Sequence, residues 1–218
     1  MSSKFTIVSE FQLNKITTIV CNSLEQRNYT LLAKIFRSFV SSFANDTILF
    51  QNNASVDEFD ECFPFEYTLM EESFCIIFDI YRINKNILSN KLSVRNELFD
   101  FDSQNFHYDT LDFDKTKLKL DPPIFLDFTN QNVDGTKFFC IDGNHRISSY
   151  NDTRIRFNAY VIPNENLRLE YFRSLNSWIA YHLISCLHLL EYLPKDEFDL
   201  YSSKLFSLFT ESALILSS

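Results

Sequence analysis

Apolar residues recur at three- and four-residue steps near the start of the chain. Leu13, Ile16, Ile19, Val20 and Leu24 form one series, and Leu31, Leu32, Ile35, Phe36, Phe39, Val40 and Phe43 a second. That spacing keeps one face of a helix apolar. Residues 12–44 therefore predict helix, broken near Asn28 into two, and Asn45-Asp46 ends the pattern. Residues 51–66 are polar and acidic, include a Phe-Pro pair, and predict a loop. Over residues 67–92, Leu69, Phe74, Ile77, Ile80, Tyr81, Ile83 and Ile87 favour another helix. The β-branched residues in CIIFDIY, 75–81, leave a strand open. Residues 97–114 are acidic and aromatic, without a period.

The period changes at residue 115. In KTKLKL, Lys115, Lys117 and Lys119 alternate with Thr116, Leu118 and Leu120, the two-residue repeat of a strand with one wet face. After Asp-Pro-Pro come a second short strand, IFLDF, and a third, FFCID; Asp134-Gly135 between them is a hairpin signal. RIRFNAYVIP predicts a fourth strand, with Arg154 and Arg156 on one face and Ile155 and Phe157 on the other. Helix returns from about residue 164, with a stripe through Leu169, Phe172, Leu175, Ile179, Leu183, Leu187 and Leu190, and a last helix covers EFDLYSSKLFSLFTESALIL. Helices thus flank a small β-rich segment, an α+β organisation. The expected divisions are a mainly helical region with acidic loops at 1–114, a β-rich core at 115–163, and helices at 164–218 packing on that core as one compact unit.

Composition narrows the function classes. The net charge is −9, and the 51–114 segment alone carries four basic against fourteen acidic residues. Residues 115–160 are mildly cationic, with seven basic against five acidic residues. An acidic chain is a poor partner for nucleic acid, whose phosphates reward clustered Lys and Arg. A small anion suits the cationic segment better. Five cysteines without a CxxC pair argue against a metal framework or a disulfide scaffold. The amino-terminal stretch has no signal-type apolar core, and no apolar run reaches the roughly 18 residues of a membrane helix. The expectation is a soluble cytoplasmic protein that keeps its thiols reduced.

Glycine is scarce: the chain has two, where average usage of about 7% would give roughly fifteen. One is Gly135, in the hairpin signal. The other, Gly143, lies in Ile-Asp-Gly-Asn-His-Arg, where the third strand gives way to the polar, helix-like stretch NHRISSYN. The first amides of a helix lack internal partners, and the helix dipole adds partial positive charge there. A strand, a glycine turn and a helix start can therefore receive an oxyanion. His145 and Arg146 are candidate side-chain donors, and Asp142 is positioned to shape the turn. The same residues also read as an ordinary Asp-Gly turn, a capping Asn144 and a structural histidine.

Pro122-Pro123-Ile124, the hairpin at Asp134-Gly135, the Asp142-Gly143-Asn144-His145-Arg146 motif and the later NAYVIP, 158–163, together resemble the ParB/sulfiredoxin-like superfamily over residues 115–163. The resemblance implies a small mixed sheet of that type. It also implies a nucleotide site, for ATP or CTP with Mg²⁺, at Asp142, Gly143, Asn144, His145 and Arg146, in which Gly143 and the 144–146 backbone hold phosphate, His145 and Arg146 add side-chain donors and are the best catalytic candidates, and Asp142 shapes the turn, and it leaves open an NTPase or kinase activity. Sulfiredoxins carry a reactive cysteine immediately before His-Arg. Asn144 occupies that place here, which removes sulfiredoxin chemistry and leaves Cys140 to packing. DNA partitioning is disfavoured by the acidic helices.

Acids just upstream, Glu97, Asp100, Asp102, Asp109, Asp112 and Asp114, are candidates for a base or metal ligand, but so many acids in a row read first as a solvated loop. The same acidity supports an alternative: an interaction module, of immunity or inhibitor type, that meets a basic partner through residues 51–114. A nuclease ranks lower on charge. Lys115, Lys117 and Lys119 read as guards of an edge strand. His182 and His188 are six apart and do not share a helical face. Ser148 and Ser149 lack a general base at readable spacing, and Trp178 reads as core.

Overall fold

The computed structural model describes residues 8–44, 62–69, 72–101, 106–108, 121–127, 136–153 and 155–217. These residues form two compact units, one from Met1–Tyr81 with Arg168–Ser218, the other from Arg82–Leu167.

The first unit is built on helices. α1 (Glu10–Gln26) opens on a capping box, in which the Ser9 hydroxyl accepts from the Gln12 amide and the Gln12 side chain accepts from the Ser9 amide. Its buried face carries Leu13, Ile16, Val20 and Leu24. The break predicted near Asn28 is present. Asn28 takes φ 69, and the amides of Arg27 and Tyr29 return to the Leu24 carbonyl. α2 (Thr30–Phe43) comes next.

The acidic loop predicted for 51–66 lies mostly outside the described residues, but its end is strand. β1 (Cys62–Leu69) pairs antiparallel with β2 (Glu72–Asp79). Helix therefore fails over 67–69 and 72–79, and the strand left open for 75–81 is present over 75–79, with helix starting at Ile80: Ile76 and Phe78 are buried at a two-residue spacing, and over so short a run that pattern resembles a helical one.

α5 (Leu175–Tyr192) is buried over most of its circumference and is capped by Ser174. α6 (Lys195–Ser217) completes the unit. Leu169–Tyr171 is a short 3₁₀ turn, so the predicted stripe starts as a helix only at Leu175. Phe36, Phe39, Trp178 and Phe209 form one aromatic core, with ring centroids 4.7 to 5.6 Å apart. Trp178 is fully buried, as expected.

The second unit carries a five-stranded mixed sheet. Its strands are β3 (Arg95–Phe99), β4 (Phe106–His107), β5 (Ile124–Asp127), β6 (Phe138–Asp142) and β7 (Phe157–Ile162), in the spatial order β3-β7-β5-β6-β4. β5 lies parallel to β7 and antiparallel to β6. Two helices join them: α3 (Ile80–Leu88), most of which belongs to this unit, and α4 (Asn144–Thr153).

The strands expected at IFLDF and FFCID are present. The fourth starts only at Phe157; Ile155 is 54% exposed and is not on the buried face that its alternation with Phe157 predicted. β4 and the end of β3 fall in the 97–114 stretch expected to be irregular. Their presence carries the sheet unit back to Arg82, well before residue 115. Phe99, Phe125 and Phe157 stack, and Ile147 of α4 joins the same cluster with Cys140, Ala159 and Val161. The Lys115–Leu120 strand and the Asp134-Gly135 hairpin lie outside the described residues. Among the described residues no helix is long and apolar enough to cross a membrane.

Candidate site at the end of strand β6

The end of β6 is shaped by a bulge. Ile124 faces Asp142, but Phe125 faces Cys140, so Ile141 is an extra residue on its strand. A bulge bends a strand and re-aims the residues beyond it. Here it brings Asp142 and Gly143 beside the start of β5, where Pro123 is located. Gly143 takes φ 99, and α4 starts at the next residue.

Gly143 is constrained by space as well as by φ. A Cβ added to it would lie 2.9 Å from Nη2 and 3.0 Å from Nε of Arg146, and 2.9 Å from Cβ of Pro123. Arg146 folds back over the glycine and is 5% exposed. Its Nη1 donates to the carbonyl of Asp121, and its Nη2 donates to Oδ2 of Asp142 at 2.9 Å. Asn84 of α3 approaches the same Oδ2 with its Nδ2 at 3.4 Å. The buried guanidinium thus has a carboxylate and a carbonyl as partners, and neither charge is left unpaired. Cys140, fully buried, donates its thiol to the Asp142 carbonyl at 3.2 Å. The thiol thus packs and closes the turn.

The five motif residues are brought together and divide by environment. Asp142 is partly exposed and Asn144 is buried. His145 is exposed on the first turn of α4, whereas Arg146 turns inward. Ser148 donates to the Asn144 carbonyl at 3.0 Å, an ordinary helical contact. The sequence reading missed Asn84 and Asp121. No motif marks the former; the latter precedes the Pro122-Pro123 pair but acts through its backbone.

The other candidates are scattered. Glu97 pairs with Arg95 at 3.0 Å, and Asp100 with Arg156 at 2.7 Å. Asp102, Asp109, Asp112, Asp114 and Arg154 lie outside the described residues. His182 is buried against the rings of Trp178 and Tyr181, and burial pushes the half-buried His188 below its usual pKa. Among the described residues no cluster of His, Cys, Asp and Glu is arranged to hold a metal ion.

No protein-family model matches the chain, and no curated protein or solved structure matches it either.

Proposed function

We propose that this chain is a ParB/sulfiredoxin-like protein that binds the phosphates of a nucleoside triphosphate, ATP or CTP with Mg²⁺, where β6 meets α4. The observation that carries the reading is the construction of the turn. A bulged strand ends on a glycine at φ 99, and a helix starts on the following residue. Amides at a helix start are suited to oxyanions. His145, exposed on the first turn, is the side chain best placed to join them. Turnover by hydrolysis or phosphoryl transfer is the enzymatic form of this proposal, and it would depend mainly on positioning and charge neutralisation.

A panel of nucleoside triphosphates with Mg²⁺ in a thermal-shift experiment tests the reading. A nucleotide present at 100 times its dissociation constant stabilises the folded state by about 2.7 kcal/mol. No shift with any nucleotide would count against it.

A second reading is favoured by one feature of the same turn: Arg146 is engaged inside the protein. If the fold serves as an interaction module, the exposed apolar residues Phe11, Leu31, Leu200, Leu214 and Ile215 of the helical unit are the place to look for a partner. Pull-down by the wild-type chain, lost on Leu214→Asp with Ile215→Asp, would support it.

A further inference from the structure

In the motif that suggested an anion site, the arginine is the residue expected to grip the anion. The geometry points elsewhere. We infer that Arg146 is a positioning residue: it holds the β6–α4 turn in its binding shape from within, by bridging the Asp121 carbonyl and the Asp142 carboxylate, and its guanidinium does not touch the bound phosphate. This rests on the nucleotide-binding reading above.

Three observations support it. Arg146 is 5% exposed, so little of its guanidinium is open to an arriving ligand. Both terminal nitrogens have acceptors on different segments, the Asp121 carbonyl ahead of β5 and the Asp142 side chain at the end of β6. Its Nε and Nη2 lie so close to Gly143 that a Cβ there would meet them at 3.0 and 2.9 Å. The glycine, the proline and the arginine are thus mutually fitted. Asn84 holds the same carboxylate from α3, at 3.4 Å. A planar fork with fixed directions can bridge two acceptors at once, and a lysine ammonium on a flexible stem cannot reproduce that.

The test uses the full chain with ATP and Mg²⁺ as the probe, and the same measurement with CTP and Mg²⁺. Binding to Arg146→Lys is measured at a temperature where the variant is folded, across a range of salt concentrations. The expected result is that the variant melts earlier and that its folded form binds more weakly by about tenfold, from displaced turn groups. The salt dependence of binding by Arg146→Ala, which removes the charge, should stay parallel to that of the wild type, because no cation in contact with the phosphate has been altered. Asn84→Ala, a milder change that touches only Asp142, should move affinity in the same direction with the fold intact, and it replaces Arg146→Lys if that variant does not fold. Unchanged affinity in the folded variant would make the residue structural only and overturn the inference, with the nucleotide reading intact. An Arg146→Lys variant that keeps wild-type stability would show that the bridge does not hold the turn and overturn the inference, and an Arg146→Ala variant with a flatter salt dependence would place the guanidinium on the ligand and overturn it as well. Absence of binding in the wild type would remove both.

Discussion

Two turns in this chain pass through positive φ with different residues. In the helical unit the turn after α1 passes through Asn28 at φ 69; in the sheet unit α4 is preceded by Gly143 at φ 99. Asn28 is exposed, and its side chain meets open solvent while the turn closes on the Leu24 and Glu25 carbonyls. Asparagine visits the left-handed region at modest cost, so glycine is not needed there. Asn90, at φ 55 after α3, makes the same point. At Gly143 the space is taken by Arg146 and Pro123. Among the described residues, asparagine serves where only the dihedral angle is demanding, and glycine stands where a Cβ has no room.

Substitutions at the two turns separate these causes. The largest effect is expected at Gly143→Asn: φ 99 lies beyond the left-handed region that asparagine visits and an added Cβ also collides, so the sheet unit should be destabilised by on the order of 3 kcal/mol, with Gly143→Ala alike. Urea denaturation followed by far-UV circular dichroism measures it, and a loss below about 1 kcal/mol, the scale of a dihedral preference alone, would break the comparison. Asn28→Ala should cost about 1 kcal/mol and Asn28→Gly close to nothing, since only the dihedral angle is at stake. Ser9→Ala, which removes the capping hydroxyl of α1, should cost about 1 kcal/mol on the same assay and calibrates a local loss in the helical unit.

The smallest effect concerns pH. Burial lowers the pKa of His188 below 6.5 in the folded state, with Glu191 partly opposing. The unfolded chain therefore takes up the proton first as pH falls. This contribution to stability is complete above the unfolded pKa and is lost as pH drops through the folded one. The melting temperature should fall on acidification below about 6.5, less steeply in His188→Gln than in the wild type.

Much of the helical unit was legible beforehand. α1, α2, α5 and α6 follow from apolar spacing, and the break at Asn28 from a residue that tolerates a left-handed turn. The β1–β2 hairpin was not, because eight-residue strands with buried Ile76 and Phe78 carry no period long enough to exclude helix. β3 was not legible either. Its pattern is mostly exposed, and it exists because β7, some sixty residues later, pairs with it from Phe157 to Val161. For the candidate site, the motif was visible but the direction of its arginine was not.

The positions of these helices are local properties, set by contacts three or four residues apart; the lack of room for a Cβ at Gly143 is not, because Pro123 and Arg146 fill that space only in the fold. Tertiary structure alone decided that Arg146 turns inward. Its acceptors, the Asp121 carbonyl and the Asp142 carboxylate, are distant along the chain from one another, and they become neighbours only when β5 and β6 lie antiparallel with an extra residue at Ile141.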